Sequence, residues 1–216
     1  MLNESRQRSA LDGLRFPQER DSNESDPAEV KTGSGFEAGN VATVRLEEIS
    51  FVALANLRGN PENPAFMTAV NSALGFTLPV EPNTTAENER ACALWLGPDE
   101  WMIRSKVVND IELAPRLDAA VQGIFSTVTD QSSGHSVLQL TGPQSNDLLA
   151  KGCPLDLHPR VFAEGQCAQS HYYKASFLLR RLPDLSGDIV RWEVIVRRSF
   201  AEYAVRMLVA DMRAYE

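Results

Sequence analysis

Ala91-Cys92-Ala93-Leu94-Trp95-Leu96-Gly97-Pro98-Asp99-Glu100-Trp101-Met102-Ile103-Arg104-Ser105 holds two short apolar runs around one polar turn. Proline presets the backbone angle of a turn, and aspartate hydrogen-bonds its own main chain there. The stretch therefore reads as a hairpin, Ala91–Leu96 folded back on Trp101–Ser105. Strands arriving in adjacent pairs, instead of strict βαβ repeats, favour an α+β layer fold over a doubly wound sheet.

The same texture extends in both directions. Upstream, Val41, Thr43 and Arg45 alternate with Ala42, Val44 and Leu46, and Ser50–Leu57 gives a second apolar run, as strands do. Asn63-Pro64 starts a helix whose face carries Phe66, Val70 and Leu74 and which Gly75 stops. Downstream, a helix with Pro115 in its first turn aligns Leu117, Ala120, Val121 and Ile124. Ser126–Asp130 and Ser136–Thr141 read as strands joined by Gln131–Gly134, and Gly142-Pro143 opens a short helix that Gly152 ends. Strands follow at Cys167–Tyr173, Ser176–Arg181 and Arg191–Val196. In the final helix Ser199 and Glu202 have the spacing of a capping box. Its expected apolar stripe is Phe200, Tyr203, Ala204, Met207, Leu208 and Met212. Two sheet-and-helix units are expected, residues 41–125 and 126–216, behind a flexible N-terminal arm over residues 1–40. The arm is too polar to bury much apolar area, and its glycines at 33, 35 and 39 have linker spacing, not that of a phosphate loop.

Of 216 residues, 43% are hydrophobic, enough for a sizeable core, yet no apolar run nears the roughly 20 residues of a membrane span. With no secretory layout at the start, the expected location is cytoplasmic. Cys92, Cys153 and Cys167 are too scattered for a disulfide framework and are expected as buried free thiols. A net charge of -8 argues against nucleic-acid binding. The local exception, Arg180 and Arg181 with Arg191, Arg197 and Arg198, reads first as a solvated face and second as a contact for an acidic partner. His135, His158 and His171 lack metal-ligand spacing, no nucleophile elbow or cofactor loop is present, and Ser132–His135 reads as a turn. No catalytic, cofactor-binding or metal-binding residue is expected.

Four stretches carry a resemblance to a known family. Ala93–Trp101, with its Leu-Gly-Pro-Asp-Glu-Trp core, Val128–Gly134, Leu149–Pro159 and Arg197–Tyr203 are similar, in order, to stretches of the gamma subunits of heterotetrameric sarcosine oxidases. The resemblance implies a subunit without cofactor or active site, in a complex that oxidatively demethylates sarcosine to glycine. FAD, FMN, NAD, zinc and tetrahydrofolate then belong to the alpha, beta and delta partners. Asp99, Trp101, Arg197 and Arg198 are the expected interface residues, Trp and Arg being enriched among residues that carry binding energy, with core packing the default for the tryptophan. The resemblance also implies kinship with the first part of the folate-dependent aminomethyltransferase fold. Those enzymes carry a functional aspartate in a strand whose counterpart here, His171–Arg181, has no carboxylate. Two alternatives stay open: a subunit of an oxidase or dehydrogenase for another N-methylated amine, and a stand-alone folate-binding one-carbon transferase.

Overall fold

The central strands of this chain, β5 (Ala91–Gly97) among them, are apolar on both faces because both faces are covered. In β5, Ala91 and Ala93 point into one buried cluster while Cys92 and Leu94 point into another. The computed structural model describes residues 9–11, 14, 37–41, 44–185 and 189–215, and the rest of the expected arm lies outside these residues. β5 pairs antiparallel with β6 (Glu100–Val108) across the Pro98-Asp99 turn, as expected. They belong to a five-stranded antiparallel sheet, β4-β5-β6-β3-β7, completed by β3 (Val52–Gly59), β4 (Thr85–Glu87) and β7 (Ser126–Asp130).

The second sheet has six antiparallel strands in the order β1-β2-β8-β11-β10-β9. These are β1 (Glu37–Val41), β2 (Val44–Ile49), β8 (His135–Thr141), β9 (Cys167–Tyr172), β10 (Ala175–Leu185) and β11 (Ile189–Arg197). The α+β class holds, and the molecule is a four-layer stack. On the outer side of the five-stranded sheet, α1 (Pro64–Leu74) and α2 (Leu113–Ala120) bury Phe66, Val70, Leu74, Leu113 and Leu117. On the outer side of the six-stranded sheet, α3 (Ser145–Ala150) and α4 (Arg198–Met212) bury Leu148, Leu149, Ala201, Ala204, Val205, Leu208 and Met212. Between the sheets, a smaller cluster joins Leu54, Leu94 and Met102 to Val137, Leu178 and Ile195.

The sheets do not divide at residue 125. β7 hydrogen-bonds to β3, and β2 hydrogen-bonds to β8 from Arg45 opposite Thr141 to Ile49 opposite Val137. Residues 52–130 thus form the five-stranded layer as a continuous insert between β2 and β8. Local periodicity finds strands but not their distant partners. The start of the chain also departs from a simple arm: Leu11 and Leu14 are buried among the residues under α4, and β1 begins at Glu37. What reads as one strand over residues 41–46 belongs to two: Val41 ends β1, and Val44 and Leu46 lie in β2, which pairs antiparallel with it.

Helix ends show which local signals survive. The Asn63 side chain accepts the Ala65 N–H, Pro64 opens α1, and Gly75 closes it at φ 81°, where a side chain would be strained. Gly59 faces the Phe66 ring so closely that a Cβ would collide with it. The Ser199–Glu202 capping box does not form. β11 ends at Arg197 and α4 begins at Arg198 with no residue between, so Ser199 already lies inside the helix. The buried stripe is Ala201, Ala204, Val205, Leu208 and Met212, and Phe200 is exposed.

Trp101 is fully buried against Phe66, ring centroids 6.0 Å apart, and its indole N–H donates to the Pro79 carbonyl at 2.7 Å. The hydrogen bond supplies the polar partner that a buried indole needs. Trp101→Ala is expected to lower stability by about 3–5 kcal/mol in urea denaturation, since it removes a large core side chain and orphans that carbonyl.

Candidate functional site

The polar groups of greatest chemical interest lie between the two sheets. Arg180 on β10 and Glu193 on β11 are cross-strand partners, each 2% exposed. Alternation sends Leu179 and Val194 toward the α3–α4 layer and turns Arg180 and Glu193 to the middle. The Arg180 guanidinium meets Glu87 of β4, and Lys106 of β6 reaches Glu87 at 2.7 Å. Arg104 Nε of β6 lies 2.7 Å from Glu193 Oε2, while Arg180 is 3.7 Å from Oε1. Lys106, Glu87, Arg180, Glu193 and Arg104 therefore alternate in sign as one ladder crossing from sheet to sheet. Neither Arg104 Nε nor Glu193 Oε1 makes a hydrogen bond, so proximity of charge holds this end. Burial alone would raise the Glu87 pKa, but the Lys106 hydrogen bond and the Arg180 charge outweigh it and hold the carboxyl below its ordinary range. Arg181, on the other face, stacks over Trp192 at 5.2 Å and pairs with Asp184 at 2.6 Å. Arg180 and Arg181 are thus interior residues, a correction to the solvated face expected of them.

Two buried thiols and the Ser132 hydroxyl are held away from nucleophilic chemistry. All three cysteines are free and buried. Burial pushes the Cys92 thiol up to about 12 and the Cys167 thiol to about 11, far from a reactive thiolate. Ser132 Oγ donates to Asp130 at 2.6 Å and accepts the Leu54 N–H at 3.0 Å, so Ser132–Gly134 closes a turn between the layers. Burial lowers the His135 pKa, and the Arg197 charge adds to this against the Gln131 carbonyl. Among the described residues no group of three His, Cys, Asp or Glu is placed to hold a metal ion, and no helix is long and apolar enough to cross a membrane.

Two clefts open where the layers splay. One, of about 550 Å³, is bordered by Asn56, Glu100, Gln131, Gln169 and Arg197. The other, of about 420 Å³, lies between the β2–β3 turn, the β6–α2 loop and the start of α4. His135 borders both. The expected interface residues divide accordingly. Asp99 is exposed on its turn, 3.7 Å from Arg58. Arg197 and Arg198 are exposed beside different clefts. Trp101 points the other way, into the core, and offers no surface. The ladder escaped sequence reasoning, although Arg180 sits between Leu179 and Leu182 and Glu193 between Trp192 and Val194, settings where a solvated charge is out of place.

Residues 58–214 match the family model described as sarcosine oxidase, gamma subunit family. The chain belongs to this family. Over 190 residues it is 33% identical to the sarcosine oxidase subunit gamma of Corynebacterium sp. (strain P-1), covering 88% of this chain and 90% of that one. The Arthrobacter sp. subunit gamma gives the same identity and coverage. A chain of the heterotetrameric sarcosine oxidase from Corynebacterium sp. U-96 superposes with a TM-score of 0.74 at 30% identity, covering 83% of this chain and 88% of that one. Aminomethyltransferase T from Bartonella henselae shares the fold, with a TM-score of 0.59 at 19% identity over 80% of this chain and 47% of its own.

In this sarcosine oxidase gamma family member, removing one charge from the ladder leaves its neighbours buried and unpaired. Glu193→Ala is expected to cost about 3–5 kcal/mol in chemical denaturation, far more than a surface ion pair. Glu87 gives a pH signature. Its folded pKa lies below the ordinary 4.5, so its contribution is complete above that value and is lost as pH falls through the depressed one. Glu87→Gln should lower stability at neutral pH and flatten the acid limb, read from denaturation midpoints between about pH 3 and pH 7.

Proposed function

We propose that this chain is the non-catalytic gamma subunit of a cytoplasmic heterotetrameric sarcosine oxidase, the complex that oxidatively demethylates sarcosine to glycine. The carrying observation is 33% identity along nearly the full length of both chains to proteins named sarcosine oxidase subunit gamma. The interior chemistry supports the same reading. Arg180, Glu193 and Glu87 are spent on one another, Ser132 and Asp130 on a turn, and the Cys92 and Cys167 thiols are driven away from reactivity. In this reading FAD, FMN, NAD, zinc and tetrahydrofolate are held by the alpha, beta and delta subunits. The gamma chain contributes buried area, which stabilises the assembled state by mass action. The exposed Asp99, Arg197 and Arg198 belong to its docking surface, whereas Trp101 acts only through the fold.

The test is coexpression with tagged alpha, beta and delta subunits of a heterotetrameric sarcosine oxidase. Stoichiometric recovery of this chain, together with failure of the isolated chain to bind flavin or tetrahydrofolate, is the expected result. Tight folate binding or amine oxidation by the lone chain would overturn the reading. Assembly only with the subunits of an enzyme for another N-methylated amine would redirect it to that substrate.

A further inference from the structure

Phe125 is 99% exposed, the most exposed of the large apolar side chains among the described residues. Its neighbours hold it there. The Ile124 N–H donates to the Val121 carbonyl at 3.0 Å, and Ser126 Oγ donates to the Ile124 carbonyl at 3.0 Å. Ile124 and Val128 pack against the cluster under α1 and α2. Phe125 thus stands in water on a fixed stretch of chain, at the mouth of β7. That strand is the last of the five-stranded sheet, paired with β3 on one side and, among the described residues, with no strand on the other.

Two hydrogen bonds give the phase of this free edge. The Gly59 N–H donates to the Asp99 carbonyl at 3.0 Å, and the Gln131 N–H donates to the Leu54 carbonyl at 2.8 Å. Bonds in an antiparallel ladder fall on alternate residues. With Asn56 opposite Thr129 and Arg58 opposite Thr127, the even residues of β3 serve β7, and Thr127 and Thr129 are bonded inward. The N–H and C=O groups of Ser126, Val128 and Asp130 therefore point out of the sheet. Natural sheets blunt such edges with lysine, proline, bulges or very short strands. β7 uses none of these: Ser-Thr-Val-Thr-Asp runs in unbroken register with β3, and its one charge, Asp130, accepts from the Ser132 N–H and O–H. At the opposite end of the sheet, β4 is only three residues long and the Gly165 carbonyl takes its Thr85 N–H at 3.0 Å. One end is closed and the other is ready to pair.

A further strand is what satisfies alternating donors and acceptors along such an edge. Five residues span about 17 Å, and a contact of that length one strand wide falls well short of the roughly 1,200 Å² of a stable pair. A second copy of the chain held at β7 alone would dissociate. A subunit anchored to this chain elsewhere would not, because its segment then meets the edge at high effective concentration. We propose that β7 receives an extended segment of a partner subunit, which adds a sixth strand to this sheet and lays an apolar side chain on Phe125. The inference rests on the subunit reading above and adds to it the edge and the mode of contact.

The experiment uses the coexpressed complex and needs no variant for its first reading. In hydrogen exchange resolved to single residues, the outward amides of Ser126, Val128 and Asp130 should slow at least tenfold on assembly, while those of Thr127 and Thr129, already bonded to β3, change less. Phe125→Ser should leave the melting temperature unchanged and reduce recovery on the tagged subunits several-fold. Ser126→Pro removes one outward N–H at the first residue of an edge strand, where proline is tolerated, and should do the same. Val161→Ser, at another exposed apolar position, should assemble normally. If wild type assembles while the three outward amides exchange as in the free chain, or if both β7 variants are recovered as well as Val161→Ser, the docking proposal fails and the subunit reading stands. If wild type is not recovered on the tagged subunits, both fail. A dimer of the lone chain that Ser126→Pro makes monomeric would mean that a second copy takes the edge, which also overturns the proposal.

Discussion

Arg180 and Glu193, opposite one another on neighbouring strands, set how the two sheets meet. Helices cover the outer faces through large apolar clusters, while the middle layer has a smaller one and must accommodate charge. Taking both ions out of water costs several kcal/mol each, and only near neighbours of opposite sign offset it. Arg104 and Glu87 provide this from the other sheet. A slip of one residue in β10 or β11 would turn the pair toward α4 and bring Leu179 or Val194 into the ladder. The ionic contact therefore fixes register more firmly than apolar packing alone, which tolerates sliding.

The same arrangement accounts for the chemical quietness of the interior. A group is available for proton transfer or attack when its partners leave it poised near neutral pH. Here the buried groups are committed. The Glu87 carboxyl is held anionic by Lys106 and Arg180, and burial keeps Cys92 and Cys167 protonated. Buried Tyr172 donates to Asp211, which holds its proton on more tightly still. Among the described residues, the two clefts and their rims lie at the periphery of this interior network.

Legibility in the sequence followed distance along the chain. The hairpin around Pro98-Asp99 and the capped helix α1 could be read because their determinants lie within a few residues. The β2–β8 pairing could not, since nothing local in Val44–Ile49 names Thr141 as a neighbour. Arg180-Arg181 misled because two arginines look alike whether they face water or a buried carboxylate. Ser199 and Glu202 misled because a capping box needs a loop before the helix, and β11 leaves none. Kinship was legible in the Ala93–Trp101 and Arg197–Tyr203 stretches.

The insertion of one entire sheet between β2 and β8 has a consequence for biogenesis. During synthesis β2 emerges roughly a hundred residues before the strand that completes its hydrogen bonding. Until β8 leaves the ribosome, the β1–β2 hairpin presents an unpaired edge and the buried side chains Val44 and Leu46 to the surroundings. The five-stranded layer can fold meanwhile, since all its strands fall within residues 52–130. The vulnerable interval for this polypeptide therefore falls late in translation, when one half is finished and the other still waits for its centre.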